Sequence, residues 1–84
     1  IALCGGAGDF LLDTAIAREA DVFLTGEMHY HQYFGHDEQL WIGVMGHYQS
    51  EQFTVELLRR LLQQAFPTLE LLETTNTTNP IQYI

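Results

Sequence analysis

Three short apolar segments of this chain each end at a glycine, and this pattern constrains the fold more than any other feature of the sequence. The segments cover residues 1–4, 22–25 and 40–45. Apolar runs of about four to eight residues bounded by glycine are typical of buried β-strands. Residues 9–20 and 47–65, which separate and follow these runs, have apolar side chains at helical spacing. We expect an α/β fold, with a mostly parallel sheet and helices packed on its faces.

Two further segments complete the predicted order of elements. Residues 27–39 are predicted to form a helix with a break near Gly35, because glycine weakens a helix interior. Residues 69–73 alternate only in part and are predicted to form a fourth strand near a sheet edge. The predicted order is therefore βαβαβαβ, within a single domain over residues 1–84.

The charge balance excludes several classes of partner. Three basic residues stand against eleven acidic ones, which gives a formal net charge of −8. Because no basic surface is available to neutralise phosphates, we expect neither nucleic acid nor an anionic membrane as a partner, whereas cations suit this charge. The single cysteine, Cys4, excludes an internal disulfide and is typical of a reducing, cytoplasmic environment.

The beginning of the chain predicts that it is part of a longer protein. It starts at Ile1 rather than at methionine and enters directly on an apolar segment. A chain of this length buries only about two-thirds of its unfolded surface, so its core is modest. We therefore expect the sheet to need cover from a neighbouring domain or subunit.

Polar residues follow each of the first three predicted strands. Asp9 comes soon after the first strand, Glu27 after the second and His47 after the third. Because parallel strands end at the same edge of a sheet, and ligands bind beyond that edge, these residues are expected to converge there. The sequence therefore predicts a functional site at this edge.

The most informative pair within this set is His47 and Glu51. They are four residues apart at the start of the strongest predicted helix, so both side chains project from one face. An imidazole nitrogen and a carboxylate oxygen at this spacing can share one divalent cation, at bond lengths of about 2.0–2.2 Å. The alternative is an ordinary surface histidine beside a first-turn glutamate that the helix dipole favours.

Glu27 and His31 repeat the four-residue spacing in reverse order. If the segment is helical they share a face, as partners of a metal ligand or as groups that move protons. The alternative is that Glu27 only caps the helix and His31 is solvated. If the segment is extended, His29 and His31 share a face instead.

Other polar and glycine-rich segments have simpler interpretations. Residues 5–8 could cradle a phosphate, but they lack the spacing of a dinucleotide fingerprint and the lysine of a P-loop, so a tight turn from strand to helix is favoured. Residues 36–38 are expected to form a solvated loop. Cys4 is expected to be a small buried apolar residue.

Four motifs in a fixed order make the chain similar to a known family. The chain resembles the carboxy-terminal part of the Nif-three-like family, whose members are also called GTP cyclohydrolase I type 2 homologues. The resemblance covers essentially all 84 residues. The motifs are Cys-Gly-Gly-Ala-Gly at residues 4–8, Asp-Val-Phe-Leu-Thr-Gly-Glu at 21–27 with His31, Gly-His-Tyr at 46–48 with Glu51, and Asn-Pro-Ile-Gln-Tyr-Ile at 79–84.

The resemblance implies a dinuclear metal protein of α/β type, with two divalent ions (zinc, iron or manganese) in the full-length form. His47 and Glu51 match two of the family's metal ligands, while Glu27 and His31 match residues near its site. The other ligands, an adjacent histidine pair and an aspartate, belong to the amino-terminal domain, and nothing in this chain matches them. The resemblance also implies a homo-oligomer, a hexamer in the full-length form.

Two classes of function follow from the resemblance. One is a metal-dependent hydrolase of the GTP cyclohydrolase type, in which Glu27 or His31 would move protons. The other is a non-enzymatic metal-binding protein, acting as a metal chaperone or a regulatory scaffold.

Overall fold

A three-stranded parallel sheet organises the first half of the chain. The computed structural model describes residues 1–84, and its strands are β1 (Ala2–Ala7), β2 (Val22–Glu27) and β3 (Trp41–Val44). The strands are parallel and follow the order β1-β2-β3, with β2 in the centre. Helices accompany this sheet, and the predicted α/β class with a parallel sheet is therefore confirmed.

Three α-helices and two short 3₁₀ turns make up the other regular elements. The helices are α1 (Leu12–Ala17), α2 (His47–Glu51) and α3 (Thr54–Ala65), and the 3₁₀ turns cover Asp9–Leu11 and Tyr30–Tyr33. A turn at residues 52 and 53 divides the predicted helix over residues 47–65 into α2 and α3. The predicted helix over residues 9–20 begins as the first 3₁₀ turn and ends at Ala17.

The predicted helix over residues 27–39 is wrong. Glu27 is the last residue of β2, and His29 has an extended backbone with φ −70° and ψ 143°. Gly35 and Glu38 have φ values of +85° and +63°, in the left-handed region. A right-handed helix cannot continue through such residues, so only the 3₁₀ turn at Tyr30–Tyr33 forms.

The predicted fourth strand over residues 69–73 is also wrong. No regular element follows Ala65, and the sheet contains only three strands. A strand exists only where its backbone N–H and C=O groups pair with a neighbouring strand, and these residues have no such pairing. The complete βαβαβαβ order therefore does not form within these residues.

The hydrophobic core lies between α1 and one face of the sheet. Phe23 and Leu12 are each 1% exposed, and Ala15 completes the buried cluster. The register pairs Ala2 with Phe23 and Phe23 with Ile42, so these three side chains share the face that α1 covers. Burial of the large apolar side chains on this face holds α1 against the sheet.

The chain divides into two compact units. The first, Ile1–Glu51, contains the sheet with α1 and α2, and we call it the sheet unit. The second, Gln52–Ile84, contains α3 and the residues that follow it, and we call it the α3 unit. None of the helices is both long enough and apolar enough to cross a lipid bilayer.

Candidate metal centre

The helix α2 starts directly at the edge of the sheet where the parallel strands end. The Met45 N–H donates to the Thr25 carbonyl at 2.9 Å, and the Gly46 N–H donates to the Gly26 carbonyl at 3.0 Å. Gly46 then turns the chain with φ +94°, a conformation that glycine adopts without the penalty of a Cβ. These contacts place His47, the first residue of α2, beside the end of β2.

His47 and Glu51 lie one helical turn apart and face each other. The distance from His47 Nε2 to Glu51 Oε2 is 3.2 Å, and both side chains are about half exposed, at 48% and 50%. A nitrogen and an oxygen donor therefore converge at a place that solvent and small ions can reach. Residues four apart on a helix are neighbours on its surface, so these two side chains are placed to bind one ion together.

Glu27 approaches the other nitrogen of the same imidazole. Its Oε1 lies 3.0 Å from His47 Nδ1, so the ring has a carboxylate at each nitrogen. A neutral imidazole carries one N–H and can donate to only one of the two. When Nδ1 donates to Glu27, the lone pair of Nε2 points towards the Glu51 carboxylate, and a cation between these two donors would satisfy both.

The glycine-rich end of β1 closes this site from a second side. The pairing of β1 with β2 shifts between Cys4 and Ala7, which is the signature of a β-bulge, and Gly6 within it has φ +65°. A Cβ placed on Gly6 would lie 2.5 Å from Glu51 Oε1 and 3.5 Å from His47 Nε2. Residues 5–7 therefore belong to β1 and its bulge rather than to a strand-to-helix turn.

Thr25 and Ser50 hold the bulge in place. Thr25 is fully buried, and its hydroxyl accepts from the Gly8 N–H at 3.0 Å and donates to the Gly6 carbonyl at 3.2 Å. The Ser50 hydroxyl accepts from the Gly6 N–H at 3.0 Å and donates to the His47 carbonyl at 2.8 Å. Sequence reasoning missed both roles, although their position next to Gly26 and Glu51 was a usable signal.

His31, which the sequence pairs with Glu27, does not reach it. No hydrogen bond or ion pair joins the two residues. His31 lies in the 3₁₀ turn, is exposed, and packs edge-on against the Tyr30 ring at 5.5 Å between centroids. Glu27 is a strand residue, so the helical spacing that would bring the two together does not apply, and His31 is exposed as in the alternative interpretation.

A second carboxylate–imidazole pair lies after the ends of β1 and β2. His29 Nδ1 contacts Asp9 Oδ2, and His29 is exposed while Asp9 is largely covered. The hydrogen bond from His29 lowers the pKa of Asp9, and the hydrogen bond to Asp9 raises the pKa of His29. The sequence places both Asp9 and His29 after strand ends at this edge but does not predict their pairing, because the two residues are distant in sequence.

The donors of this chain stop short of a complete metal site. No group of three or more histidine, cysteine, aspartate or glutamate side chains is arranged to hold an ion alone. Divalent transition ions usually take three or four protein ligands. The described residues thus present two donors, His47 and Glu51, and Glu27 lies at the opposite nitrogen of the His47 ring.

Comparison with known proteins gives matches along the whole chain. The family described as Duf34/NIF3 (NGG1p interacting factor 3) matches residues 1–80. A protein of Lactococcus lactis subsp. lactis, named GTP cyclohydrolase 1 type 2 homolog, is 34% identical over 84 residues, which covers 95% of this chain and 31% of that protein. A protein of the same name from Streptococcus pneumoniae serotype 4 is 33% identical over 92 residues, covering 100% of this chain and 33% of that protein. The chain thus spans about a third of the length of these relatives.

Proposed function

The chain belongs to the Duf34/NIF3 family, and from this premise we propose that His47 and Glu51 are two ligands of a divalent-metal site. The observation that carries the proposal is the distance of 3.2 Å between His47 Nε2 and Glu51 Oε2, on a half-exposed face of α2. The Glu27 carboxylate on Nδ1 supports it, since metal-bound histidines usually donate their second N–H to such a group.

The chemistry of the donors fits a divalent transition ion. One imidazole nitrogen and one carboxylate oxygen suit zinc, iron and manganese about equally. Two ligands alone hold such an ion weakly, so the 84-residue chain is expected to bind with low affinity. In the longer protein, an adjacent histidine pair and an aspartate from the amino-terminal domain would complete a site for two ions. We propose in addition that the longer protein assembles as a homo-oligomer, a hexamer.

The finer proposal is a metal-dependent hydrolase of the GTP cyclohydrolase type, in keeping with the names of the two relatives. A divalent ion held by His47 and Glu51 would supply a water molecule of lowered pKa as the nucleophile for opening a purine ring. In this chain, Glu27 Oε1 lies 3.0 Å from His47 Nδ1, where it would accept the proton of that nitrogen and so fix the orientation of the ring. The proposed catalytic residues are Glu27 and His31, and His31 must approach from its exposed 3₁₀ turn to move a proton.

The position of His31 favours a second candidate function. The structure shows no hydrogen bond or ion pair between His31 and Glu27, and the His31 ring packs edge-on against Tyr30. A non-enzymatic metal-binding protein, such as a metal chaperone or a regulatory scaffold, needs only the ligands. Both candidates share the metal site and differ in turnover.

Substitution of the histidine ligand tests the proposal. We expect His47→Ala to remove Zn²⁺ binding by the 84-residue chain in a calorimetric titration, whereas His31→Ala, an exposed histidine control, leaves it unchanged. Equal binding by the His47→Ala variant would contradict the metal site.

Turnover separates the two candidate functions. The longer protein that carries this segment is expected to hydrolyse GTP only when loaded with metal, and to lose turnover on His47→Ala. Stoichiometric metal with no turnover of GTP would support the non-enzymatic candidate, and turnover by metal-free protein would exclude the hydrolase proposal.

A further inference from the structure

Gly6, in the bulge of β1, lies close to the side chains of His47 and Glu51. A Cβ at this residue would lie 2.5 Å from Glu51 Oε1, inside van der Waals contact, and 3.5 Å from His47 Nε2. Gly6 also has φ +65°, which residues with a Cβ rarely adopt. The space used by the carboxylate is therefore space that a side chain at this position would fill.

The backbone of Gly6 is held by the same elements that carry the pair. Its N–H donates to Ser50 Oγ at 3.0 Å, and Ser50 Oγ donates to the His47 carbonyl at 2.8 Å. Its carbonyl accepts from the buried Thr25 hydroxyl at 3.2 Å. Both polar groups of Gly6 are thus satisfied by side chains, one from α2 and one from β2, so the bulge and α2 are fixed relative to each other.

We propose that Gly6 is a positioning residue of the metal site, an inference that rests on the proposed function. Because Gly6 has no side chain, the Glu51 carboxylate can occupy the space next to His47 Nε2. Its N–H, through Ser50, sets the distance of α2 from β1. The Gly6 bulge therefore determines whether the two donors can act on one ion.

The substitution Gly6→Ala is expected to change the geometry of the site without preventing folding. The atom that the new Cβ would meet first is the end of the flexible Glu51 side chain, which can swing away into solvent. The variant is then expected to fold with a strained φ at residue 6, while the Glu51 carboxylate moves away from His47 Nε2. Loss of a group that orients a ligand typically weakens metal binding by about 10- to 100-fold, and we expect a loss in this range.

Two other glycines provide matched controls. Gly5→Ala adds a Cβ in the same strand, where the nearest atom outside the neighbouring residues would be the Ser50 carbonyl oxygen at an ordinary 3.8 Å. Gly35→Ala adds a Cβ at φ +85° with no atom within 4 Å. The first control reproduces the added methyl group and the second reproduces the left-handed strain, each without the contact to Glu51.

The experiment is a Zn²⁺ titration of the 84-residue chain followed by the NMR signals of the His47 ring, together with the metal-free NOE between that ring and the Glu51 side chain. We expect Gly6→Ala to weaken binding about 10- to 100-fold and to lose the NOE, and both controls to match the unsubstituted chain. An unchanged NOE and an unchanged affinity in Gly6→Ala would overturn the inference.

The failure of the proposed function has a different signature. If Zn²⁺ does not shift the His47 ring signals in the unsubstituted chain, the metal site is contradicted, while the NOE comparison still decides the role of Gly6. If Gly6→Ala does not fold, Ser50→Ala replaces it, since it removes the hydroxyl between the Gly6 N–H and the His47 carbonyl. A Ser50→Ala variant that keeps both the NOE and the affinity would overturn the inference as well.

Discussion

The sheet unit and the α3 unit use apolar residues in opposite ways. In the sheet unit, Phe23 and Leu12 are each 1% exposed and share one core. In the α3 unit, the apolar stripe of the long helix is left about half exposed, and no residue of α3 is buried. An amphipathic pattern is therefore enough to predict a helix, but it does not predict burial, because apolar side chains are buried only where another element packs against them.

The polar contacts of the two units differ in the same way. Thr25 in the sheet unit is fully buried and joins two strands through its hydroxyl. In the α3 unit, Arg59 pairs with Glu73 at the surface, and Gln63 Nε2 donates to the Pro67 carbonyl at 2.9 Å. Exposed contacts of this second kind contribute little to stability, because water and salt compete with them.

The largest difference between the two units is expected when an apolar side chain is removed and the free energy of unfolding is measured. Phe23→Ala in the sheet unit should lower the free energy of unfolding by about 3–5 kcal/mol, since it leaves a cavity under α1. Leu61→Ala in the α3 unit, where the side chain is 53% exposed, should cost less than about 1 kcal/mol. Urea unfolding measures both, and similar losses in the two variants would break the comparison.

A smaller effect is expected from the buried hydroxyl. Thr25→Val keeps the shape of the side chain but leaves the Gly8 N–H and the Gly6 carbonyl without their partner. Leaving such buried groups unpaired costs about 1–3 kcal/mol. The matched control is Thr54→Val at the exposed start of α3, which should change the free energy of unfolding by less than about 0.5 kcal/mol. A loss in Thr25→Val no larger than that of the control would show that the hydroxyl is not needed.

The smallest effect is expected from pH, and it too should arise in the sheet unit, which contains all four histidines. The raised pKa of His29 gives stability that is full below 6.5, its value without a partner, and is lost as pH rises through the raised pKa. The lowered pKa of Asp9 gives stability that is present above 3.8 and is lost as pH falls through the lowered pKa. The pair therefore stabilises most between these two values.

Thermal unfolding measured within this range and at pH values above 6.5 tests the pair. His29→Gln and Asp9→Asn should each reduce the fall in Tm above pH 6.5, and the double variant should add nothing to either. Additive effects of the two substitutions would show that the residues act separately.

The sequence predicted the parts of the fold that depend on local pattern. The apolar starts of β1, β2 and β3 and the long amphipathic α3 follow from such patterns. The extension of β1 through residues 5–7 was missed, because glycines favour a turn and only pairing with β2 makes them a bulge. The strand over residues 69–73 was predicted wrongly, because a strand depends on a partner that its own pattern does not reveal.

The candidate site was predictable in part for the same reason. The four-residue spacing of His47 and Glu51 and the parallel sheet together placed these residues with Glu27 at one edge. The pairing of Glu27 with His31 was predicted only for a helical segment, and it does not form because Glu27 ends β2. The contacts of Thr25 and Ser50 with the Gly6 bulge depend on residues up to 44 positions apart, which no local pattern encodes.

The most direct test of the metal site is a map of where an ion binds on the unsubstituted chain. Mn²⁺ broadens the NMR signals of nearby nuclei even when it binds weakly, and all amide and histidine ring signals can be followed in one titration. We predict that His47, Glu51 and Gly6 broaden first, at the lowest Mn²⁺ concentration. Broadening that begins instead in the acidic loop of residues 36–38, or spreads evenly over the acidic surface, would contradict a shared site at His47 and Glu51.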